Sequence, residues 1–316
     1  QRAQKLHDHA RLFEILGKGL GMSYELAIGD RSYSSWSLRG WMIFAKGNIS
    51  VTVRKGRMYG PDFQRLLAEF APAGLVPALR LPDGIVIAET MAIAETIAER
   101  HPEARLWPQD PTERALARWM TAEMHAGFGA LRSHCAMNLR VAYSDCAPSA
   151  DVLKDLERIE MLWSQALGKH AAKGPWLFGD WSIADAFFAP VAARIAGHSL
   201  PVSAKAATYV EAQITDPDFR RWRAMGAAEG ADQPSYARDW PQKPWPGPTP
   251  LAARALPEDT TDRAINTACP YSGKPVTHLL EMEGRIWGFC NAFCRDKTVA
   301  DPAAWPAFME MISRTG

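Results

Sequence analysis

Three scarcities come first. No apolar run in the chain approaches the 18 residues that a membrane-crossing helix needs, which excludes a helical span. Neither sign of charge dominates: 36 Lys and Arg stand against 35 Asp and Glu, a formal net charge of +1. There is no global basic field to hold nucleic acid or an anionic membrane, so neither is an expected partner. Cysteine is scarce and odd in number, five in 316 residues, with three of the five in the last 48. That is not the framework of a small secreted protein; it fits a reducing, cytoplasmic compartment and a local thiol or metal site. What the chain does have is core material. Hydrophobic residues make up 47% and charged residues 22%, a balance that excludes disorder along its whole length. Its length suits two domains and an appendage.

Residues 1–22 are mixed in charge, lack the apolar stretch of a secretory signal, and are expected to be a leader or remnant. From 23 to 101, strand and helix signals alternate. Strands are expected at 24–28, 50–54, 78–81 and 85–88, and helices at 36–46, 62–70 and 90–100, an order β-α-β-α-β-β-α. Gly47 stops the first helix, and Pro82-Asp83-Gly84 marks a hairpin. Three prolines in 102–111 read as a linker. Residues 112–230 read as helical throughout, with helices at 112–143, 149–172, 182–197, 203–213 and 217–228. Residues 231–258 hold seven prolines and read as an extended connector. Residues 259–316 resume a globular pattern.

Three clusters carry chemistry. Ser32-Tyr33-Ser34-Ser35-Trp36-Ser37-Leu38-Arg39 lies between the first strand and the first helix. A hydroxyl there can donate to an anion beside the positive end of a helix, or simply cap that helix. Lowering a substrate thiol by two pKa units takes roughly 2.7 kcal/mol of preferential thiolate stabilisation, within reach of one charge-assisted bond and a helix terminus. Val76-Pro77 precedes the third strand, and Glu89-Thr90 opens the third helix. A carboxylate, a hydroxyl and free amides at a helix start can hold an amino acid's two charged ends.

Taken in this order within one β-α-β-α-β-β-α unit followed by an all-α domain, the clusters resemble the cytosolic glutathione transferase superfamily over about residues 23–230. The Trp36–Arg39 stretch is most similar to the zeta-like, maleylacetoacetate isomerase-like bacterial branch. The resemblance implies a thioredoxin-like N-terminal domain, an all-α C-terminal domain, a homodimer, and glutathione as substrate or cofactor toward a small electrophile. It implies that the thiolate-stabilising hydroxyl lies seven residues before the helix-one arginine, which from Arg39 gives Ser32, with Ser34 and Ser35 as alternatives. Val76 would pair with the cysteinyl backbone of glutathione, Pro77 would be cis, and Glu89 with Thr90 would hold the γ-glutamyl end. Leu75 departs from the lysine that the family often has at that place. The segment 122–140 would face the second substrate, making Met124, His125, Arg132 and Asn138 candidate pocket residues. Gly179–Asp185 resembles the superfamily's buried helix start, a folding device in which Asp185 caps. The rival reading is a binding protein of the same fold that holds glutathione or a partner without turnover, with a metal- or redox-sensing tail.

In the tail, Cys290 and Cys294 at the start of a helix face the same way. With Cys269 they form C-x20-C-x3-C around a hairpin signal at Gly284. The pattern resembles the small treble-clef zinc modules of the TRASH and YHS type over about residues 266–308. Ser272 stands where a fuller pattern has a second knuckle cysteine. Structural zinc takes four ligands, so His278 is expected as the fourth, with Asp296 as a carboxylate option. The bland alternative is a metal-free module with three reduced thiols.

Overall fold

The computed structural model describes residues 23–170 and 173–315; the segment 1–22, expected as a leader or remnant, lies outside them. Strand β1 (Tyr24–Ile28) is central in a four-stranded sheet ordered β2-β1-β3-β4. It pairs parallel with β2 (Val51–Lys55) and antiparallel with β3 (Ala78–Arg80), which pairs antiparallel with β4 (Val86–Ala88). Leu26, Ala27 and Ile28 are fully buried, as a strand covered on both faces requires. Helices α1 (Ser35–Lys46), α2 (Pro61–Glu69) and α3 (Thr90–Arg100) complete the domain. The Val76–Pro77 bond is cis. Gly84 turns the β3–β4 hairpin at φ +87°, where a side chain would be strained.

The expected long helix at 112–143 is instead two. Helix α4 (Pro111–Ala126) is capped by Asp110, which accepts from the amides of Thr112 and Glu113 at 2.9 Å each. Gly127 then turns extended and Phe128 enters the left-handed region at φ +58°, before α5 (Gly129–His134). The chain next makes a two-residue strand, β5 (Ala142–Tyr143), inside the region expected to be all helix.

Helix α6 (Ala150–His170) meets α7 (Ile183–Gly197) through Trp163, edge-on to Phe188 at 5.6 Å. Helix α7 packs on α1 and α4 and is buried along nearly its full length, so it reads apolar on every face. A capping box starts α7: Asp185 takes the amide of Ser182 at 2.8 Å and its hydroxyl at 3.1 Å. Asp185 also accepts from the Leu177 amide and the Tyr209 hydroxyl. Helices α8 (Ala204–Thr215) and α9 (Pro217–Ala227) close the bundle.

The Pro-rich stretch does not run free. Its β6 (Gln242–Lys243) pairs antiparallel with β5. Trp240 packs edge-on to Tyr143, ring centroids 5.4 Å apart, and Trp245 lies under the Arg223 guanidinium at 4.6 Å. The tail is equally attached. Strands β7 (Arg254–Ala255), β8 (His278–Met282) and β9 (Arg285–Phe289) form an antiparallel sheet, followed by α10 (Ala292–Ala300) and α11 (Pro306–Thr315). Helix α10 docks on α9, where Arg220 donates twice to Asp301 at 2.9 and 2.7 Å. Trp287, Phe289 and Phe308 are continuous with the core of the two upstream domains.

Candidate functional site

The N-terminus of α1 is built by a tight turn in which the Asp30 carbonyl accepts the amides of Tyr33 and Ser34 at 3.1 and 2.8 Å. Ser34 caps the helix: its Oγ accepts from the Ser37 amide at 3.3 Å and lies 2.7 Å from Ser37 Oγ. A cavity of about 430 Å³ opens beside this terminus. Ser34, Ser35, Trp36, Val76, Arg132 and Arg194 line it, together with an apolar and aromatic wall that includes Tyr33, Met58, Tyr59, Met137 and Tyr236.

Ser32 does not line the cavity. It is 2% exposed, sealed beneath α9, with its Oγ accepting from Arg140 Nε at 3.4 Å. The seven-residue offset from Arg39 is a chain distance, and the turn at 30–34 carries Ser32 to the back of the loop. Ser34 and Ser35, the alternatives, are the serines on the cavity side.

Three guanidinium groups converge here. Arg194 Nη2 stands 3.5 Å from Ser35 Oγ, while its other nitrogens hold the carbonyls of Cys135 and Pro190. Arg39 is fully buried, with Nε on the Phe187 carbonyl at 2.9 Å and both terminal nitrogens without a partner among the described residues. Arg132 and Arg39 both lie over the Trp36 ring, at 5.7 and 4.2 Å. No carboxylate pairs with any of the three among the described residues. Burial and mutual repulsion push Arg194 down to about 10 and hold Arg39 well below the usual arginine range. Uncompensated buried cations are costly unless an anion arrives to meet them. An anion at this terminus would gain from the α1 dipole, the serine hydroxyls and these cations together.

The remaining expected residues divide. Val76 lines the cavity. Glu89 is exposed with a strained φ of +67°, and Thr90 is buried at the start of α3. His125 does not reach the cavity; its Nε2 meets Glu89 Oε2 at 3.2 Å and its ring lies edge-on to Trp36 at 5.0 Å. Burial pushes the His125 pKa down despite the Glu89 charge. Met124 is absent from the pocket wall because α4 turns it into the core, where it is 0% exposed. Asn138 is absent because its Oδ1 is held by the Arg140 amide at 3.0 Å. Of the four expected pocket residues, Arg132 alone lines the cavity.

Among the cavity residues that escaped sequence reasoning are Arg194 and Tyr236. Arg194 had a signal: it is the one basic residue in the apolar helix IADAFFAPVAARIAG. Tyr236 had none, because a Pro-rich stretch shows no periodicity.

In the tail, the sulfurs of Cys269, Cys290 and Cys294 all lie within 4.8 Å of one another. Cys290 and Cys294 are 3.9 Å apart, against about 3.8 Å for two thiolates sharing a tetrahedral zinc with 2.3 Å bonds. Burial raises the Cys269 pKa, but amide donors from Tyr271, Cys290 and Ser272 outweigh it and bring the thiol to about 7. Ser272 Oγ donates to Cys290 Sγ at 3.2 Å. Lys297 is clamped between the rings of Tyr271 and Trp305, 3.9 Å from each, with the thiols as neighbours. His278 and Asp296 are not part of the cluster. His278 lies on β8 with Nδ1 2.9 Å from Thr277 Oγ1, and Asp296 pairs with Arg295.

The described helices include none long and apolar enough to cross a membrane. The family described as glutathione S-transferase, N-terminal domain, matches residues 33–100. Maleylacetoacetate isomerase of Rattus norvegicus is 30% identical over 173 residues, covering 52% of this chain and 74% of that protein. A probable maleylacetoacetate isomerase of Caenorhabditis elegans is 29% identical over 157 residues, 48% of this chain and 72% of its own length. The fold is shared with the crystal structure of glutathione transferase Omega 3C from Trametes versicolor, at a TM-score of 0.50, 19% identity, 72% of this chain and 97% of that one. A Tau class glutathione S-transferase from mango, Mangifera indica, gives 0.51, 18%, 64% and 92%. With a thioredoxin-like sheet, a helical domain around α7 and a relative matched over most of its length, the chain belongs to the glutathione S-transferase superfamily.

Proposed function

We propose that the protein is a glutathione-dependent enzyme that either conjugates glutathione to an electrophile or returns it unchanged after a cis–trans isomerisation. The observation that carries this reading is the meeting of Ser34, Ser35 and Arg194 with Val76 in one cavity at a helix N-terminus. The Val76 edge would pair with the cysteinyl backbone of glutathione, and Glu89 with Thr90 would take its γ-glutamyl end. Leu75 is 68% exposed and offers no charge to the glycyl carboxylate. Ser34 or Ser35 would donate to the thiolate while Arg194 and Arg132 favour the anion over the thiol. In conjugation, a new S–C bond forms as the leaving group departs with its electron pair. In isomerisation, the thiolate adds to a conjugated cis alkene, rotation follows about the resulting single bond, and the thiolate is expelled. The arginines suit an electrophile that itself carries a carboxylate.

The same reading includes a homodimer in the reducing cytoplasm, consistent with five free cysteines. It also includes zinc held by Cys269, Cys290 and Cys294, with a water or Ser272 in the fourth position. The test is glutathione-dependent turnover of 1-chloro-2,4-dinitrobenzene, ethacrynic acid and a cis-configured conjugated keto acid. Binding of glutathione without turnover of any of them would favour a non-catalytic binding protein.

A further inference from the structure

The connector after α9 is fastened to the two loops whose Tyr33 and Met58 line the cavity. Arg57 donates to the carbonyls of Ala231 and Asp232 at 3.0 and 3.2 Å. Gln233 Nε2 donates to Asp30 Oδ2 at 2.8 Å and to the Met58 carbonyl at 3.0 Å, bridging the α1 loop and the β2–α2 loop. Arg140 holds Asp232 at 2.9 Å and the Gly226 and Gly230 carbonyls at 3.0 Å. Tyr33 donates to Asp232 Oδ1 at 3.1 Å and accepts the Gln233 amide at 3.3 Å. These bonds tie the segment to both loops and to Arg140, so residues 231–236 form a fixed strap.

The strap ends in Tyr236. Its ring lies 4.8 Å from that of Tyr33, and its hydroxyl is 3.1 Å from that of Tyr59. It lines the same cavity as Ser35 and Arg194. Tyr33 has both sides of its hydroxyl taken by the strap. Among the described residues Tyr236 shares its hydroxyl only with exposed Tyr59, which solvent or a ligand can replace.

We infer that Tyr236 is a specificity-determining residue, which selects a flat, conjugated electrophile by stacking on its ring and by a hydrogen bond from its hydroxyl to the electrophile's carbonyl or nitro oxygen. This rests on the reading of the cavity as a glutathione site. The strap brings the second-substrate wall from beyond the helical domain, whereas α4 supplies none of it: Met124 is turned inward and His125 faces Glu89. A planar π-system fits an aromatic wall, and Arg194 adds a charge for an acidic substituent.

The experiment is calorimetric titration of the full chain with glutathione and, separately, with its conjugate S-(2,4-dinitrophenyl)glutathione, which fills both subsites. The wild-type protein is expected to bind the conjugate at least about tenfold more tightly than glutathione. Tyr236→Leu should remove most of that preference and leave the glutathione affinity within about twofold. Tyr236→Phe should keep the stacking and lose only a severalfold share, separating ring from hydroxyl. A preference that survives Tyr236→Leu overturns the inference, as does an equal weakening of both ligands, which would make Tyr236 a structural anchor of the strap. If wild-type protein binds neither ligand, the glutathione reading itself fails.

Discussion

Gly226 of α9 and Ser32 of the α1 loop stand so close that a Cβ on Gly226 would meet Ser32 Oγ at 2.7 Å and its backbone nitrogen at 3.0 Å. The helix therefore presses on the loop through a glycine, and the loop places Ser34 and Ser35. In Gly226→Ala, turning the Ser32 hydroxyl aside would still leave the backbone nitrogen in the way. The substitution should destabilise the protein by about 1–3 kcal/mol and displace the loop. Urea unfolding and turnover should fall together, and unchanged values of both would mean that the loop yields freely.

The three serines should separate cleanly. Ser35→Ala or Ser34→Ala should lower glutathione-dependent turnover roughly 10- to 1000-fold, the effect of removing one positioned donor. Ser34→Ala should also lose about 1 kcal/mol of stability with the cap. Ser32→Ala should cost stability on the scale of one hydrogen bond, about 1 kcal/mol, and spare most of the activity. The reverse ranking would return the role to Ser32.

Much of the architecture was legible because it rests on local signals. Gly47 ends α1, Gly84 turns the hairpin, and Ser182 with Asp185 starts α7, each through a bond or dihedral that sequence neighbours determine. The site was legible to the nearest turn but not to the residue. Whether Ser32 or Ser35 faces the cavity depends on Gly226, 191 or more positions further on, and on Arg140. The break between α4 and α5 was missed because Phe128 adopts φ +58°, against the habit of a bulky residue. Proline content concealed the strap and the β5–β6 pairing, since it argues against helix but says nothing of tertiary docking.

Arg194 tests whether function opposes stability. Its charge is buried without a carboxylate partner, so Arg194→Leu removes a desolvated cation along with bonds to the Cys135 and Pro190 carbonyls. These effects offset, and stability should stay within about 1 kcal/mol of wild type. The thiol of bound glutathione should lose a neighbouring cation, raising its pKa by about one unit in the 240 nm thiolate absorbance. An unshifted titration would remove Arg194 from the thiolate's surroundings.

His198 should make the fold acid-sensitive. Its Nδ1 donates to the Arg194 carbonyl at 3.0 Å, and Nε2 has no partner among the described residues. Burial, aided by Arg194, Arg238 and His134, pushes its pKa down to about 4 from the ordinary 6.5. A depressed histidine adds stability that is present above pH 6.5 and lost as the pH falls through about 4. The full loss is on the order of 3 kcal/mol. His198→Phe should flatten that part of the profile, at a cost near 1 kcal/mol at neutral pH for the lost bond. Denaturant midpoints of both proteins between pH 7 and pH 4 decide it, and parallel profiles would be the adverse result.

The thiol cluster makes the last prediction. Three sulfurs converge at a spacing that suits zinc, and Lys297, held over the Tyr271 ring, would balance the charge of a dication on three thiolates. Without a metal, the same arrangement would crowd three thiols against a buried ammonium, with Cys294 pushed up to about 12 by burial and by its sulfur neighbours. Protein purified without chelator should carry about one zinc per chain, and Cys290→Ser should lose it. His278→Ala should retain the metal, because β8 holds that ring outside the cluster. The loss should not stay local. Helix α10 starts at this cluster and ends where Asp301 takes the bidentate bond from Arg220 of α9, and α9 seats Gly226 against Ser32. Cys290→Ser should therefore open residues 259–315 to protease and also weaken glutathione binding several-fold, unlike the outcome for a module hung on a free linker. A metal-free protein whose tail resists protease would leave the packing of Trp287, Phe289 and Phe308 and the Arg220–Asp301 bonds to hold it, and defeat the zinc assignment.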